Sequence, residues 1–333
     1  MRCSLCPLRC VIKPGKKGVC KTRENRDGKL YTVIYGEVVS MAIDPIEKKP
    51  LFNFWPGSLA FSIANPGCNM KCRNCQNWSI SQVAPEDAAT TYYDPEVIVE
   101  KAKESGCRSI AYTYTEPIIW FEYVLDTARI ARREGIFNIL VTNGFITLEA
   151  LNILAPLIDA ANVDLKSFSD SFYRKNCGAM LEPVLEATKF MKKKGIFLEI
   201  TNLIIPGYND NETETKQLAR WIKGNLGPDT PLHFSRFYPH YRMTHVAPTP
   251  IRTLTRARRI AMEEGMYYVY VGNVPGHEAE NTYCQKCGEP LVRRFGYEIG
   301  DYKVKEDGTC PICKAKIGIV GRYEATGRKA WFL

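Results

Sequence analysis

A chain of 333 residues with 45% hydrophobic and 24% charged side chains can bury a full-sized core, as one large domain or one domain with appendages, which excludes a disordered or fibrous protein. Its 45 basic residues exceed its 36 acidic ones by nine, an excess that would draw anionic partners such as nucleic acid, phosphorylated substrates or an acidic protein surface without choosing among them. The start, Met1-Arg2-Cys3-Ser4-Leu5-Cys6-Pro7, has no apolar signal core, and no later stretch reaches roughly 18 uninterrupted apolar residues, so a soluble, cytoplasmic protein without a membrane span is expected.

Residues 1–50 combine a cysteine cluster with a β-prone stretch over 30–41, rich in Val, Ile and Tyr and preceded by the turn pair Asp27-Gly28, which predicts a small hairpin-bearing element. Over 51–278 short apolar runs alternate with helix-length amphipathic segments. The runs at 59–64, 109–114, 138–142, 161–165, 197–204, 232–237 and 267–271 predict strands. Asp94 before Pro95 and Glu96 starts one helix and Gly106 stops it, and further helices are predicted over 118–134, 148–157, 183–194, 212–223 and 255–264. Lys192-Lys193-Lys194 reads as the solvated end of one of them. Repeated βα units imply a parallel sheet with helices outside, an α/β open or closed barrel with its chemistry at the carboxyl ends of the strands. Residues 279–333 break the alternation and read as a separate small module.

Eleven of the thirteen cysteines fall into three tight clusters, an arrangement that metal ligation requires and disulfide pairing does not. In the middle, Cys68, Cys72 and Cys75 are spaced C-x3-C-x2-C on the loop leaving the first barrel strand. Three thiolates bind three irons of a [4Fe–4S] cube and leave the fourth iron open to an external ligand, where chemistry can occur. Asn65-Pro66-Gly67 and Asn69 let backbone turn tightly around such a cube. The competing reading is a zinc site, but a structural zinc normally takes four ligands.

This spacing after a first strand resembles the radical S-adenosylmethionine (SAM) superfamily. The resemblance implies a partial (β/α)6 TIM-like barrel, a [4Fe–4S] cluster whose open iron takes the amino and carboxylate groups of SAM, and an external one-electron reductant. Reductive cleavage would then give methionine and a 5′-deoxyadenosyl radical for hydrogen abstraction. Tyr114-Thr115-Glu116 stands where the superfamily has Gly-Gly-Glu, with Glu116 suited to the cofactor's ammonium. Asn143, within Thr142-Asn143-Gly144, offers a small polar group near the ribose or carboxylate. Asp164 and Lys166 resemble the Asp-x-Lys of glycyl-radical activases, suited to a ribose hydroxyl and the cofactor carboxylate. Glu199 and Thr201 share one strand face and both point into the barrel. Each has a plainer reading: Glu116 caps the following helix, Asp164 and Lys166 form an ion pair, and Glu199 with Thr201 pack as interior polar residues.

The stretch Asp44-Pro45-Ile46-Glu47-Lys48-Lys49-Pro50-Leu51-Phe52-Asn53-Phe54-Trp55-Pro56-Gly57-Ser58, followed by Gly67-Cys68-Asn69 and Cys75-Gln76-Asn77-Trp78-Ser79-Ile80-Ser81-Gln82, resembles the AmmeMemoRadiSam system radical SAM proteins. These are relatives of pyruvate formate-lyase activating enzymes, often encoded beside a Memo-like dioxygenase homologue and an AMMECR-type protein. The likeness runs nearly the whole chain and implies a protein or small-molecule substrate linked to those partners. Two positions depart from the superfamily. Asn74 replaces the usual aromatic before the third cysteine, so Phe237, Tyr238 or Trp78 would supply the apolar contact beside adenine, and Tyr114-Thr115 replaces Gly-Gly, so a hydroxyl of Thr113 or Thr115 would stand in for the close backbone approach.

Cys284, Cys287, Cys310 and Cys313 form two C-x2-C knuckles with the spacing of a zinc ribbon; a rubredoxin-like iron or auxiliary cluster is the alternative, because thiolate tetrads accept both metals. Such a ribbon would present Arg293, Arg294, Arg322 and Arg328 to a partner. Cys3, Cys6, Cys10 and Cys20, spaced C-x2-C-x3-C-x9-C, fit zinc or a second [4Fe–4S] cluster. Cys107 and Cys177 stand alone and read as buried thiols, and His233, His240 and His245 as packing residues or contacts to adenine or substrate. Two other function classes compete with a radical enzyme: a zinc-bearing nucleic-acid or protein interaction module, which needs no barrel, and an iron–sulfur electron-transfer protein, which would give each cluster four ligands. Nucleic acid is not required by the favoured reading.

Overall fold

Apolar runs buried on both faces make strands of a parallel sheet, and the amphipathic segments between them make the helices that cover it. The computed structural model describes residues 1–325. Its central sheet has eight strands in sequence order: β1 (Ser40–Pro45), β2 (Leu59–Ala64), β3 (Ser109–Tyr112), β4 (Phe137–Thr142), β5 (Ala160–Asp164), β6 (Phe197–Ile204), β7 (Leu232–Arg236) and β8 (Val269–Gly272). β1 and β2 pair antiparallel, and every other neighbouring pair is parallel. Helices α1 (Pro95–Glu104), α2 (Phe121–Arg133), α3 (Leu148–Leu154), α4 (Leu181–Lys193), α5 (Glu212–Asn225) and α6 (Ile251–Glu263) return the chain between parallel strands. This is the expected α/β partial barrel, with β1 added at one edge.

Three local departures have physical causes. The strand expected over 109–114 stops at Tyr112, because Tyr114 turns the chain at φ 67°, a left-handed conformation rare for an aromatic residue. The helix expected from 118 opens as a 3-10 turn, Pro117–Trp120, capped by Glu116, whose carboxylate accepts from the Ile118 amide at 3.1 Å. The β-prone stretch over 30–41 divides: Lys29–Thr32 pairs with Arg23–Arg26 through Asp27-Gly28, both at positive φ, whereas the chain from Ser40 onward joins the central sheet.

Because β1 runs antiparallel to β2, the connection over 46–58 crosses the amino ends of the barrel strands. Leu51 and Phe54 fill the interior there beside Ala60, Ala111 and Ala160, whose short side chains leave the room. A C-terminal antiparallel sheet, Thr282–Tyr283, Pro290–Phe295 and Glu298–Tyr302, shares a core with this plug: Phe52, Tyr268 and Tyr270 pack with Leu291, Val292 and Ile317. Arg294 joins the two parts. Its guanidinium donates to Phe52 O at 2.8 Å and Thr282 Oγ1 at 2.8 Å, and stacks on the Phe52 ring at 4.4 Å. Arg294 is therefore buried rather than offered to a partner; Arg293 and Arg322 are exposed, and Arg328 lies outside the described residues. Among the described residues no helix is long and apolar enough to cross a membrane.

Candidate functional site

The loop after β2 carries Cys68, Cys72 and Cys75 at the carboxyl end of the barrel and is held from two sides. A π-helical turn, Tyr173–Cys177, accepts two of its amides: Lys71 N reaches Cys177 O at 2.7 Å and Arg73 N reaches Asn176 O at 3.0 Å. From β4, Asn143 donates Nδ2 to Asn69 Oδ1 at 2.9 Å and to the Cys68 sulfur at 3.7 Å. The Met70 amide also donates to Cys68, at 3.4 Å, and the Cys75 sulfur lies 3.1 Å from Ser81 Oγ. The neighbouring Cys177 thiol, together with burial, pushes the Cys72 thiol well up; burial does the same to Cys68. Such thiols are inert until a metal takes their protons.

The other expected residues divide between the two ends of the barrel. Asp164 and Lys166 leave β5 as an ion pair of 2.7 Å. Burial opposes the Lys166 charge, but Asp164 and the neighbouring Cys72 outweigh it and raise the pKa, so this ammonium stands charged beside the cysteine loop. Glu116 is fully buried and already accepts from Ile118 N, Thr142 Oγ1 at 2.7 Å and Asn143 N at 2.8 Å; burial pushes it up to about 7. Thr115 Oγ1 donates to Asn65 O at 2.8 Å. Tyr114 gives its carbonyl to Asn77 Nδ2 at 2.7 Å, while its hydroxyl bonds Asp44 and lies 3.4 Å from Lys49 Nζ. On β6, Thr201 pairs in register with Asp164, and its buried hydroxyl has no partner among the described residues. Glu199 belongs to the opposite end, where it accepts from Asn53 N at 2.7 Å in the plug and sits 2.6 Å from His233 Nε2.

Comparison with known proteins gives this geometry a family. A model of the radical SAM superfamily matches residues 62–221, from β2 through the cysteine loop into α5. The uncharacterized protein MJ0808 of Methanocaldococcus jannaschii is 52% identical over 322 residues, covering 96% of each chain. The chain carries a domain of the radical SAM superfamily over residues 62–221. It is an enzyme of that superfamily, and it is similar to the pyruvate formate-lyase 1-activating enzyme of Escherichia coli, 24% identical over 221 residues, 60% of this chain and 87% of that one. A radical SAM methyltransferase from Sphaerobacter thermophilus shares the fold, with a TM-score of 0.50 at 17% identity over 66% of this chain and 68% of its own.

A radical SAM enzyme carries a [4Fe–4S] cluster and SAM, and the donor set here fits both. Among the described residues the group Cys284, Cys287, Cys310 and Cys313 brings its ligand atoms within 4.8 Å of one another, as a single ion demands; Cys68, Cys72 and Cys75 form no such group. Three thiols on one loop suit a polynuclear cluster with one iron left open. The unpartnered Thr201 hydroxyl beside Asp164 is a polar group awaiting a ligand. Of the aromatic candidates, Phe237 is buried, Trp78 is exposed and stacks on Tyr241 at 5.4 Å, and Tyr238 with Gln76 and His240 lines an open cleft; Asn74 instead binds Asn176 Nδ2 at 2.8 Å. Cys177 is the neighbour that sequence reading missed, since nothing in its spacing ties it to the loop that the fold lays against it.

The C-terminal tetrad is shaped for one metal. Its sulfurs pair at 3.5 Å (Cys284 with Cys313) and 3.7 Å (Cys287 with Cys310), and Gly288 turns the first knuckle at φ 74°. Stripping the ion with a chelator under mild denaturant should lower Tm by at least about 5 °C, because metal binding in such modules is folding free energy and 1 kcal/mol is worth about 2–4 °C in a chain of this class. A Tm unchanged after loss of one metal equivalent would remove the structural role.

Proposed function

We propose that Cys68, Cys72 and Cys75 hold a [4Fe–4S] cluster at which SAM is reductively cleaved, in an enzyme akin to glycyl-radical activases. The supporting observation is the position of three thiols on one loop at the carboxyl end of a parallel barrel, with a charged Lys166 beside Cys72. Bound there, the cofactors would supply one-electron cleavage of the sulfonium, giving methionine and a 5′-deoxyadenosyl radical that takes a hydrogen atom from substrate. The chain's own part is placement. Lys166 offsets thiolate charge and is suited to the cofactor carboxylate, Asp164 and Thr201 offer oxygens for the ribose, and Asn143 orients the loop through Asn69. Glu116 acts by bracing Asn143, since its two oxygens already accept three bonds from the chain. Tyr114, Thr115 and Glu199 hold the frame rather than the cofactor.

The cleft lined by Gln76, the residue after Cys75, with Tyr238, His240, Asn273 and Phe295 is open to solvent, which favours an extended substrate such as a protein loop over a small molecule sealed in a pocket. Within this reading an external one-electron donor feeds the cluster, and a Memo-like or AMMECR-type protein is a substrate to try. Anaerobically reconstituted enzyme should release 5′-deoxyadenosine and methionine in equal amounts when dithionite and SAM are added. Reconstituted cluster without either product would overturn the proposal.

A further inference from the structure

Cys3, Cys6, Cys10 and Cys20 line one small cavity together with Arg23 and Asn69. The chain closes around it by backbone bonds: Cys3 N donates to Cys10 O at 2.9 Å and Arg9 N to Cys6 O at 3.0 Å. Gly18 passes so near that a Cβ there would stand 3.1 Å from Ile12 Cδ1 and 3.8 Å from the Cys10 sulfur. Thr22 Oγ1 donates to the Cys20 sulfur at 3.2 Å. Arg23 is 5% exposed and bonded to Glu122 through its terminal nitrogens, and its Nε has no partner among the described residues. Arg23, paired with Glu122, thus brings its guanidinium to the wall of the cysteine cavity.

The cavity between those thiols points to the kind of centre. The four sulfurs of the C-terminal tetrad lie within 4.8 Å of one another, as around one ion, whereas Cys3, Cys6, Cys10 and Cys20 surround a cavity. We propose that Cys3, Cys6, Cys10 and Cys20 hold a second [4Fe–4S] cluster, ligated at all four irons. Asn69 lines its cavity and also accepts from the Asn143 amide that reaches Cys68, and a Cβ on Gly67 would lie 3.3 Å from Cys20 O, so one layer of protein separates the two cysteine sites. With four protein ligands it binds no substrate. Its place is electron entry: one electron from a low-potential one-electron donor reduces it, and the same electron leaves for the neighbouring cluster, restoring the oxidised form.

The site does not depend on the radical reading, and the test keeps them apart. The full chain carrying Cys68→Ala, Cys72→Ala and Cys75→Ala, reconstituted anaerobically with iron and sulfide, should retain about four labile sulfides, and its dithionite-reduced EPR signal should ignore SAM. Absence of labile sulfide from that protein overturns the proposal, since a single-ion site contains none. As a second variant, Cys6→Ser with Cys20→Ser should drop sulfide from about eight to about four per chain while a SAM-sensitive signal survives. Sulfide unchanged in it, or two zinc ions per chain, would count equally against the cluster. Reduced wild-type enzyme should show spin-coupled, broadened signals, and a spectrum equal to the sum of the two variants would refute the relay.

Discussion

Replacing Cys75 with alanine should abolish 5′-deoxyadenosine release, by more than about 100-fold, because loss of an outer partner alone costs a metal site about 10–100-fold and this change removes a ligand. Cys72 should behave differently in one respect. Its thiol is perturbed most by the neighbouring Cys177, so Cys72→Ala leaves a second sulfur beside the loop. Any residual cleavage in Cys72→Ala should vanish in the double variant with Cys177→Ala. Cys177→Ala alone should keep the full complement of iron, since three ligands remain. Chromatography of quenched reactions together with iron content checks all four proteins. Undiminished release from Cys75→Ala would remove the cysteine loop from the chemistry altogether.

The strand order was readable because periodicity is a local signal: the runs at 59–64 and 197–204 are strands over those same residues. The cysteine loop was readable because its three ligands are close in sequence as well as on one loop. What escaped was long-range. Cys177 looks incidental until the π-helical turn lays it beside Cys72, and Arg294 looks like a surface cation until the C-terminal sheet packs it on Phe52. Tyr114 stands where a glycine pair belongs, and sequence favours an ordinary strand residue there. The hydroxyl's bond to Asp44, inside a buried group with Lys49, accompanies a glycine-like φ that nothing local announces. Glu199 shares its alternation with Thr201, and period two cannot tell which end of a barrel a residue serves. The plug does, by bringing Asn53 to Glu199 and leaving Thr201 unpartnered.

That plug also predicts the largest stability effect outside a metal site. Glu47 is buried with its carboxylate 3.9 Å from Arg294 Nε, accepts from the Gly57 amide at 3.0 Å, and is pushed up to about 7 by burial, against the pull of Arg294. Arg294→Ala removes the bonds to Phe52 and Thr282 and leaves that carboxyl without a counter-charge, so it should cost about 3–5 kcal/mol in denaturant unfolding. The pH dependence has a fixed sign. An acid whose folded pKa lies above its unfolded value contributes stability that is complete below the unfolded pKa, near 4.5, and is lost as pH rises through the folded value near 7. Glu47→Gln cannot ionise, so between pH 5 and 8 it should lose less stability than the wild type, by about 3 kcal/mol at most, given 1.36 kcal/mol per pKa unit. Arg294→Ala should lose more over the same range and keep losing above pH 7, because removing the guanidinium lets burial raise the Glu47 pKa further. Parallel pH profiles for the three proteins would show that the carboxyl is solvated, and the ion pair of Glu47 with Arg294 would then carry no part of the joint between barrel and C-terminal sheet.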